Sequence, residues 1–204
     1  NLWLPEGEYK VTGLGYAPTG NIMAGERQVT AAGTPGLNLL LTAASLCSNA
    51  RVVPPETKED RYTVLGDPTE ACLGVVAEKA GIHVDEQLAA MPRVRELPFD
   101  SRRKRMTTIH ALTKPVDGCQ RVAYVKGAPK EVLELCNEIY DANHRTPLTE
   151  QQRSEIMQAN DRYARNGLRV LAVACRYISK DTGLPAALSA YTPELVEQDL
   201  VFIG

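Results

Sequence analysis

The sequence predicts an α+β fold in which helices pack on a central, mostly antiparallel, twisted β-sheet. Three strand-like runs follow one another directly, at residues 94–99, 105–112 and 121–126. The polar, glycine-containing stretch 115–118 is typical of a hairpin loop between the last two runs. Segments in which apolar residues recur at helical spacing come before and after these three strands. Helices and strands therefore do not alternate strictly along the chain. This grouping favours an antiparallel sheet over a parallel β-α-β arrangement.

Length and composition are those of an ordinary globular chain. The chain has 204 residues, of which 44% are hydrophobic and 24% are charged, and its formal net charge is −2. One domain of usual size, or two small ones, fits this length. The composition excludes a disordered tail, a collagen-like fibre and a coiled coil. The small net charge also argues against an overall basic surface for nucleic acid.

The cysteines and histidines show neither a disulfide framework nor a metal-site pattern. The five cysteines are widely spaced, with no C-x-x-C, and the three histidines are scattered. We therefore expect reduced, mostly buried thiols and no bound metal. The longest mostly apolar stretch, residues 37–47, is too short to span a bilayer, and the first residues do not resemble a signal peptide. We expect no direct membrane contact by this chain.

The first part of the chain is predicted to contain a strand, a helix and a loop. Residues 8–16 resemble a strand that ends in a proline-glycine turn at 18–20. Pro35 opens a helix with apolar residues at helical spacing, and Asn49 is expected to end it. The polar stretch 54–60 is typical of a loop.

A second helix is predicted to start within residues 66–70. Asp67 is a favourable N-cap, and Glu70 stands at the third helical position, as in a capping box. The helix is expected to run to Ala80 and to end at Gly81. Its apolar stripe is expected to comprise Leu73, Val76 and Ala80. Glu70 has two open interpretations at this point, a structural cap and a ligand contact.

The last part of the chain is predicted to alternate helices and strands. Helices are expected at residues 128–136 and 149–166, and a short one opens at 192–194. The inner side of the long helix is expected to comprise Ile156, Ala159, Tyr163 and Ala164. The apolar run 168–176 is typical of a central strand covered on both faces, and 200–203 is a final strand.

Several local clusters suit either structure or ligand binding. Phe99 ends a strand and precedes the basic run 102–105, which is typical of a solvated edge but is also able to hold phosphate or RNA. Lys126 and Gly127 form a strand-to-helix turn where a glycine permits close approach of backbone or ligand. Arg169 starts a predicted buried strand, where a charge needs a partner.

Together these clusters indicate an adenine nucleotide site. An exposed aromatic ring stacks on a purine, cations bind phosphates, and a carboxylate accepts a hydrogen bond from the adenine amino group. No G-x-x-x-x-G-K-[ST] loop is present, and Gly13-Leu14-Gly15 lacks the third glycine of a dinucleotide fingerprint. The site must therefore hold phosphates without a glycine-rich loop.

Six short motifs occur in a fixed order along the chain. They are Leu-Cys-Ser-Asn-Ala (46–50), Gly-Asp-Pro-Thr-Glu (66–70), Pro-Phe-Asp-Ser-Arg-Arg-Lys-Arg-Met (98–106), Lys-Gly-Ala-Pro (126–129), Gly-Leu-Arg-Val-Leu-Ala (167–172) and Asp-Leu-Val-Phe-Ile-Gly (199–204). In this order and spacing they resemble the nucleotide-binding (N) domain of type II P-type cation-transporting ATPases, the group of calcium pumps and related pumps. Each motif is weak alone, but together they cover essentially the whole chain.

The resemblance implies roles for six residues. Phe99 matches the phenylalanine that stacks on adenine, Glu70 the glutamate near the adenine amino group, and Lys104 a lysine that lines the pocket. Lys126 and Gly127 match the lysine and glycine at the floor of the pocket. Arg169 matches the arginine that reaches toward the phosphates. Residues 177–194 match no motif, so no role is predicted for them.

The resemblance also implies that residues 1–204 are a single ATP-binding domain excised from a larger membrane ATPase. The family motifs D-K-T-G-T, T-G-E-S and G-D-G-x-N-D are absent from this sequence. The chain is therefore expected to bind ATP without hydrolysing it, and to hold no catalytic residue. The phosphorylation and actuator domains of the same full-length chain are its expected partners, and Mg²⁺ would act with ATP in that full-length enzyme. The expected location is a cytoplasmic domain of an integral membrane protein that transports a cation.

Two other functions are weighed against this one. A stand-alone nucleotide-using enzyme would need a nucleophile or general base near the site, and His110 has no triad or paired carboxylates beside it. A nucleic-acid-binding module would use residues 102–105. The small net charge and the absence of aromatic residues within that run count against it.

Overall fold

A seven-stranded sheet lies at the centre of the computed structural model, which describes residues 1–57, 61–141, 143–179 and 181–204. The strands in these residues are β1 (Leu2–Leu4), β2 (Gly7–Val11), β3 (Ile22–Ala24), β4 (Arg27–Val29), β5 (Arg51–Val53), β6 (Thr63–Leu65), β7 (Arg93–Asp100), β8 (Arg105–Val116), β9 (Cys119–Gly127), β10 (Cys136–Asp141), β11 (His144–Pro147), β12 (Ala172–Ile178) and β13 (Leu200–Phe202). The helices are α1 (Pro35–Leu46), α2 (Pro68–Lys79), α3 (Val84–Ala90), α4 (Pro129–Leu133), α5 (Glu150–Arg165) and α6 (Pro193–Val196).

The central sheet has the order β11-β10-β13-β12-β9-β8-β7. All neighbours are antiparallel except β10 and β13, which are parallel. This arrangement confirms the predicted α+β fold with a mostly antiparallel sheet. Strands β1 to β4 form a separate antiparallel sheet, and β5 pairs with β6. The prediction of a central strand covered on both faces is also confirmed, because β12 lies between β13 and β9 and its side chains alternate between two cores.

The sheet has a hydrophobic core on each face. Alternation along β9 sends Tyr124 into one core and Val125 into another, as expected for a strand covered on both sides. The first core packs the sheet against α1, α2 and the sheet β1–β4. The second packs it against α4 and α5, and a third, smaller core lies under α6. The end of β7, the start of β8 and the end of β9 meet at one end of this sheet, which carries several of the candidate site residues.

The helices confirm most of the predicted starts and stops. Asp67 caps α2 by accepting hydrogen bonds from the amides of Thr69 and Glu70, and Gly81 follows that helix with a φ of +83°. Thr149 and Gln152 form a capping box on α5. The short helix α6 and the last strand β13 are also found where the sequence predicts them.

Several predicted boundaries are wrong. Helix α1 ends at Leu46, before the predicted stop at Asn49, and β8 continues to Val116, into the predicted loop 115–118. The first strand ends at Val11 because the chain bends at Gly13, whose φ is +82°. The helix predicted at 128–136 ends at Leu133, since Cys136 already pairs with β13. The strand predicted to start at 168 starts at Ala172, because the Leu168 amide closes the end of α5 by donating to the Tyr163 carbonyl.

Other elements carry no usable signal in the sequence. Strands β1 and β3 to β6 have three residues each, too few to show an alternation of apolar and polar side chains. The sequence also does not predict β10, β11 and α3. The predictions of which helix residues face the core are partly wrong. Ala164 is exposed on α5, and the fully buried residues of α2 are Ala71, Val75 and Ala77 rather than Leu73 and Val76. Of the loop predicted at 54–60, residues 58–60 lie outside the described residues.

The thiols are free, as the sequence predicts. Cys47, Cys119, Cys136 and Cys175 are buried, and Cys72 is exposed. Within the described residues, no helix is both long enough and apolar enough to cross a membrane.

Candidate functional site

The Glu70 carboxylate points away from the helix cap and toward β9. Asp67 takes over capping, with Oδ1 2.6 Å from the Thr69 amide. One Glu70 oxygen, Oε2, accepts from the Asn49 amide at 2.8 Å and from the Ser48 hydroxyl at 3.4 Å. The other, Oε1, lies 2.9 Å from Lys126 Nζ. The Glu70 side chain therefore joins segments that are distant in the chain, and it does not complete the capping box that the sequence left as one interpretation.

Lys126 lies on β9, one residue before that strand ends, and only 5% of its side chain is exposed. A buried ammonium requires an anionic partner, which Glu70 supplies. Burial by itself would raise the pKa of the Glu70 carboxyl, but the Asn49 amide and the Lys126 ammonium outweigh it and hold that pKa below its usual 4.5. The carboxylate is therefore ionised at neutral pH.

Arg93 and Glu96 bind the loop after α1, whose Asn49 amide donates to Glu70. Arg93 on β7 donates to the carbonyls of Leu46 and Ser48 at 2.8 and 2.6 Å, and to Asn49 Oδ1 at 2.5 Å. Glu96 pairs with Arg93 at 3.0 Å and accepts from Asn49 Nδ2 at 2.8 Å. The loop after α1 is thereby fixed to the edge strand of the sheet.

Sequence reasoning missed Arg93 and Glu96. Their spacing, i and i+3 within a strand, carries no signature of a joint role. The motif at 46–50 was the one available signal, since it contains both Ser48 and Asn49. Nothing in the sequence connects that motif to β7, which the chain reaches more than forty residues later.

Gly127 lies where two turns meet. A Cβ atom at this position would stand 2.5 Å from the Lys104 carbonyl oxygen and 2.5 Å from Arg105 Cβ. The next amide, of Ala128, donates to the Lys104 carbonyl at 3.0 Å. Gly127 therefore permits close contact between two backbone segments, as predicted for a glycine at a strand-to-helix turn.

Lys104 stands in the turn between β7 and β8 with a φ of +53°. Its amide donates to the Asp100 carbonyl at 2.6 Å, which closes the turn. Its ammonium lies 2.5 Å from Glu131 Oε1 on α4 and remains 57% exposed. The hydrogen bond from Lys104 lowers the pKa of the Glu131 carboxyl. Lys104 is thus a cation at the surface with one carboxylate partner.

Phe99 is exposed at the end of its strand and does not pack in a hydrophobic core. It lies on β7 with 60% of its surface accessible, whereas Phe202 on β13 is 2% exposed. The pairing of β7 with β8 is irregular between Leu97 and Asp100, so Phe99 falls in a break of the regular ladder.

Arg169 does not start a buried strand. It is exposed in the segment between α5 and β12, and its Nη1 lies 3.4 Å from the Thr69 hydroxyl at the start of α2. The structure thus brings Arg169 to the end of α2 that also carries Glu70. This placement connects the motif at 167–172 to the motif at 66–70.

The basic run 102–105 is not a free cationic patch. Arg103 Nη1 and Arg105 Nε bind the buried carboxylate of Glu197 at 2.5 and 2.7 Å. Lys104 pairs with Glu131. Three of the four cations thus have carboxylate partners in the described residues, which counts further against a nucleic-acid interface.

His110 is buried between two fixed partners. Its Nδ1 lies 2.9 Å from the Met91 carbonyl, and its Nε2 lies 2.9 Å from the Thr108 hydroxyl. Burial lowers the pKa of this imidazole. Both ring nitrogens are occupied by structural contacts, which counts against a general-base role.

Comparison with known proteins supplies an independent line of evidence. A family model described as P-type ATPase, cytoplasmic domain N, matches residues 36–204. The chain is 31% identical over 202 residues, 98% of its length, to the "Probable cation-transporting ATPase F" of Mycobacterium tuberculosis, of which it covers 20%. It is 28% identical over 208 residues, 100% of its length, to the "Calcium-transporting ATPase" of Bacillus subtilis, of which it covers 21%. It is 34% identical over 172 residues, 81% of its length, to the "Cation-transporting ATPase pma1" of Synechocystis, of which it covers 18%. The chain thus spans about one fifth of the length of these relatives.

Proposed function

This chain belongs to the family of P-type ATPase cytoplasmic N domains, and we propose that it binds ATP by its adenine and presents the γ-phosphate to the phosphorylation domain of a cation-transporting ATPase. The observation that carries the proposal is the Glu70–Lys126 pair, which joins two of the six motifs at one end of the sheet. Residues 1–204 are then one N domain of a longer chain, consistent with their one-fifth share of the relatives.

The adenine site is proposed to lie between an aromatic surface and a carboxylate. Phe99 offers an exposed ring, and stacking of a base on such a ring contributes about 1–3 kcal/mol. Glu70, ionised at neutral pH, accepts a hydrogen bond from the adenine amino group. Lys126 holds that carboxylate in place and forms the floor of the pocket with Gly127. A guanine, which has a carbonyl where adenine has the amino group, would face the carboxylate with an acceptor.

The phosphates are proposed to extend toward exposed cations. Arg169 is exposed beside Thr69, and Lys104 is exposed beside Glu131. Both carry a positive charge that attracts a triphosphate, and exposed pairs of this kind are individually weak. Mg²⁺ is expected to accompany ATP in the full-length enzyme, and this chain supplies the nucleotide contacts.

The chemistry of the parent enzyme is proposed to occur on another domain. This chain holds the nucleotide, and closure of the parent's domains then brings the γ-phosphate to the aspartate that accepts it, with ADP as the leaving group. The gain comes from proximity rather than from new reacting groups. ATP affinity of the isolated chain is expected to be modest, with a dissociation constant on the order of 0.1–1 mM, or about −4 to −5.5 kcal/mol. The parent would be a cytoplasm-facing membrane enzyme. Calcium, named for the B. subtilis relative, is the first transported ion to test.

The test is a titration of the 204-residue chain with ATP, AMP and GTP, followed by amide NMR and calorimetry. We expect saturable ATP binding, weaker GTP binding, and shifts at Glu70, Phe99 and Lys126. A phosphate-release assay on the same sample should show no turnover. No shift at several millimolar ATP in a folded sample would overturn the proposal, and steady phosphate release would instead support a stand-alone enzyme.

A further inference from the structure

We propose that Glu197 is a positioning residue for the nucleotide, acting through Arg103 on the backbone beside Phe99. The proposal rests on the ATP-binding function above and adds a residue that none of the six motifs contains. Glu197 follows α6, next to the stretch 177–194 for which the sequence predicts no role, and 98 positions after Phe99 in the chain.

The environment of Glu197 is that of a fully buried anion. Its side chain is 0% exposed. Three donors converge on it: Arg103 Nη1 at 2.5 Å, Arg105 Nε at 2.7 Å and the Thr107 hydroxyl at 2.7 Å. All three donors lie in the turn after β7 or at the start of β8. A buried carboxylate is costly unless it is paired and hydrogen-bonded, so these contacts specify one arrangement of the turn.

Arg103, which Glu197 holds in place, also binds the backbone next to Phe99. Its second terminal nitrogen, Nη2, donates to the Pro98 carbonyl at 2.7 Å. Pro98 immediately precedes Phe99, so a single guanidinium joins the Glu197 carboxylate to the peptide group next to the aromatic ring. Arg105 adds a second link, because its Nη1 donates to the Arg103 carbonyl at 3.0 Å.

The regular sheet does not provide this constraint. The pairing of β7 with β8 shifts register between Leu97 and Asp100, so Pro98 and Phe99 lie outside the ordered ladder. Phe99 is also too exposed for core packing to fix its orientation. The contact from Arg103 to the Pro98 carbonyl replaces the missing ladder contact, and Glu197 holds Arg103 in the position to make it.

The test compares Glu197→Gln with Glu194→Gln in the 204-residue chain. Glu194 is an exposed glutamate on α6, three positions before Glu197. It attracts Arg103 and Arg105 through space but accepts no hydrogen bond from either in the described residues, so its replacement removes an equal charge and leaves the hydrogen bonds of the turn in place. We expect Glu197→Gln to weaken ATP binding about tenfold by calorimetry, and to move the NMR resonances of the Phe99 ring. Glu194→Gln should leave both unchanged.

A double-mutant cycle separates positioning from general loss of structure. If Glu197 acts through the ring, Glu197→Gln should have almost no further effect on ATP binding once Phe99 is already alanine. Should Glu197→Gln fail to fold, Arg103→Gln removes the contact with Pro98 while Arg105 and Thr107 still bind Glu197, and it should show the same loss and the same non-additivity.

Two results would overturn the inference while leaving the proposed function intact. One is unchanged ATP affinity in folded Glu197→Gln and Arg103→Gln. The other is a loss that adds fully to that of Phe99→Ala. Failure of the unaltered chain to bind ATP is a different outcome, since it removes the proposed function and this inference with it.

Discussion

The ammonium of Lys126 lies 2.9 Å from the Glu70 carboxylate, although 56 positions separate the two residues in the chain. Lys126 is the last residue but one of β9, and Glu70 lies in the first turn of helix α2. Their contact fixes the start of α2 over the end of β9. Through the Asn49 amide, the same carboxylate also holds the loop after α1. A single ion pair therefore sets the relative positions of three segments at one end of the sheet.

Replacement of Phe99 by alanine is expected to weaken ATP binding by about 1–3 kcal/mol, because base stacking is lost. Since the ring is 60% exposed, the free energy of unfolding should change by less than about 0.5 kcal/mol. Calorimetric titration and thermal unfolding measure the two effects. Val116→Ala, which shortens an exposed residue at the other end of β8, serves as the control and should affect neither. Equal ATP affinity of folded Phe99→Ala and the unaltered chain would remove Phe99 from the site.

Replacement of Glu70 by glutamine is expected to lower stability at pH 7 by about 1–3 kcal/mol, since Lys126 loses its anionic partner. The pKa of the Glu70 carboxyl is lower in the folded chain than its usual 4.5, so its contribution to stability is present above pH 4.5. That contribution is lost as the pH falls through the lower, folded-state value.

The difference in stability between the two proteins should therefore shrink as the pH falls below 4.5. Urea unfolding at a series of pH values measures it. A difference that stays constant from pH 7 to pH 3 would contradict the role of the ionised carboxylate. ATP binding at pH 7 gives a separate readout, and a loss of stability with unchanged ATP affinity would make Glu70 a purely structural residue.

Replacement of Gly127 by alanine is expected to destabilise the chain by about 1–3 kcal/mol, because the added Cβ would overlap backbone and Cβ atoms of the neighbouring turn. Gly74→Ala in helix α2 is the matched control. A Cβ at Gly74 meets nothing within 4 Å, so that change should stabilise the helix by up to about 1 kcal/mol. Thermal unfolding of the two variants should give shifts of opposite sign. Equal stability of Gly127→Ala and the unaltered chain would contradict the close approach of the two turns.

Replacement of Arg169 by alanine is expected to weaken binding of ATP by about 0.5–1 kcal/mol, because one exposed cation near the phosphates is lost. Binding of adenosine, which has no phosphate, should stay the same. Arg165→Ala, at the exposed end of α5, removes an equal charge and serves as the control. Parallel titrations with ATP and adenosine measure the difference. An equal loss for both ligands would place Arg169 elsewhere than at the phosphates.

Local features of the fold were predictable because each depends on neighbours in the chain. Asp67 caps α2 through amides two and three positions later, and Thr149 caps α5 in the same way. The hairpin between β8 and β9 follows from two apolar runs with Asp117 and Gly118 between them. The three-residue strands gave no such signal, since pairing with partners rather than their own sequence makes them strands.

The sequence by itself determined the fold class, the family resemblance and the residue types that a nucleotide site requires. Only the tertiary structure decided their states: Glu70 binds Lys126 rather than its own helix cap, Phe99 is exposed, and Glu197 neutralises Arg103. The physical reason is the same in each case. Burial and ion pairing depend on which strands lie side by side. The sheet places β9 beside β8, and both within reach of residues that are 56 and 92 positions away in the chain.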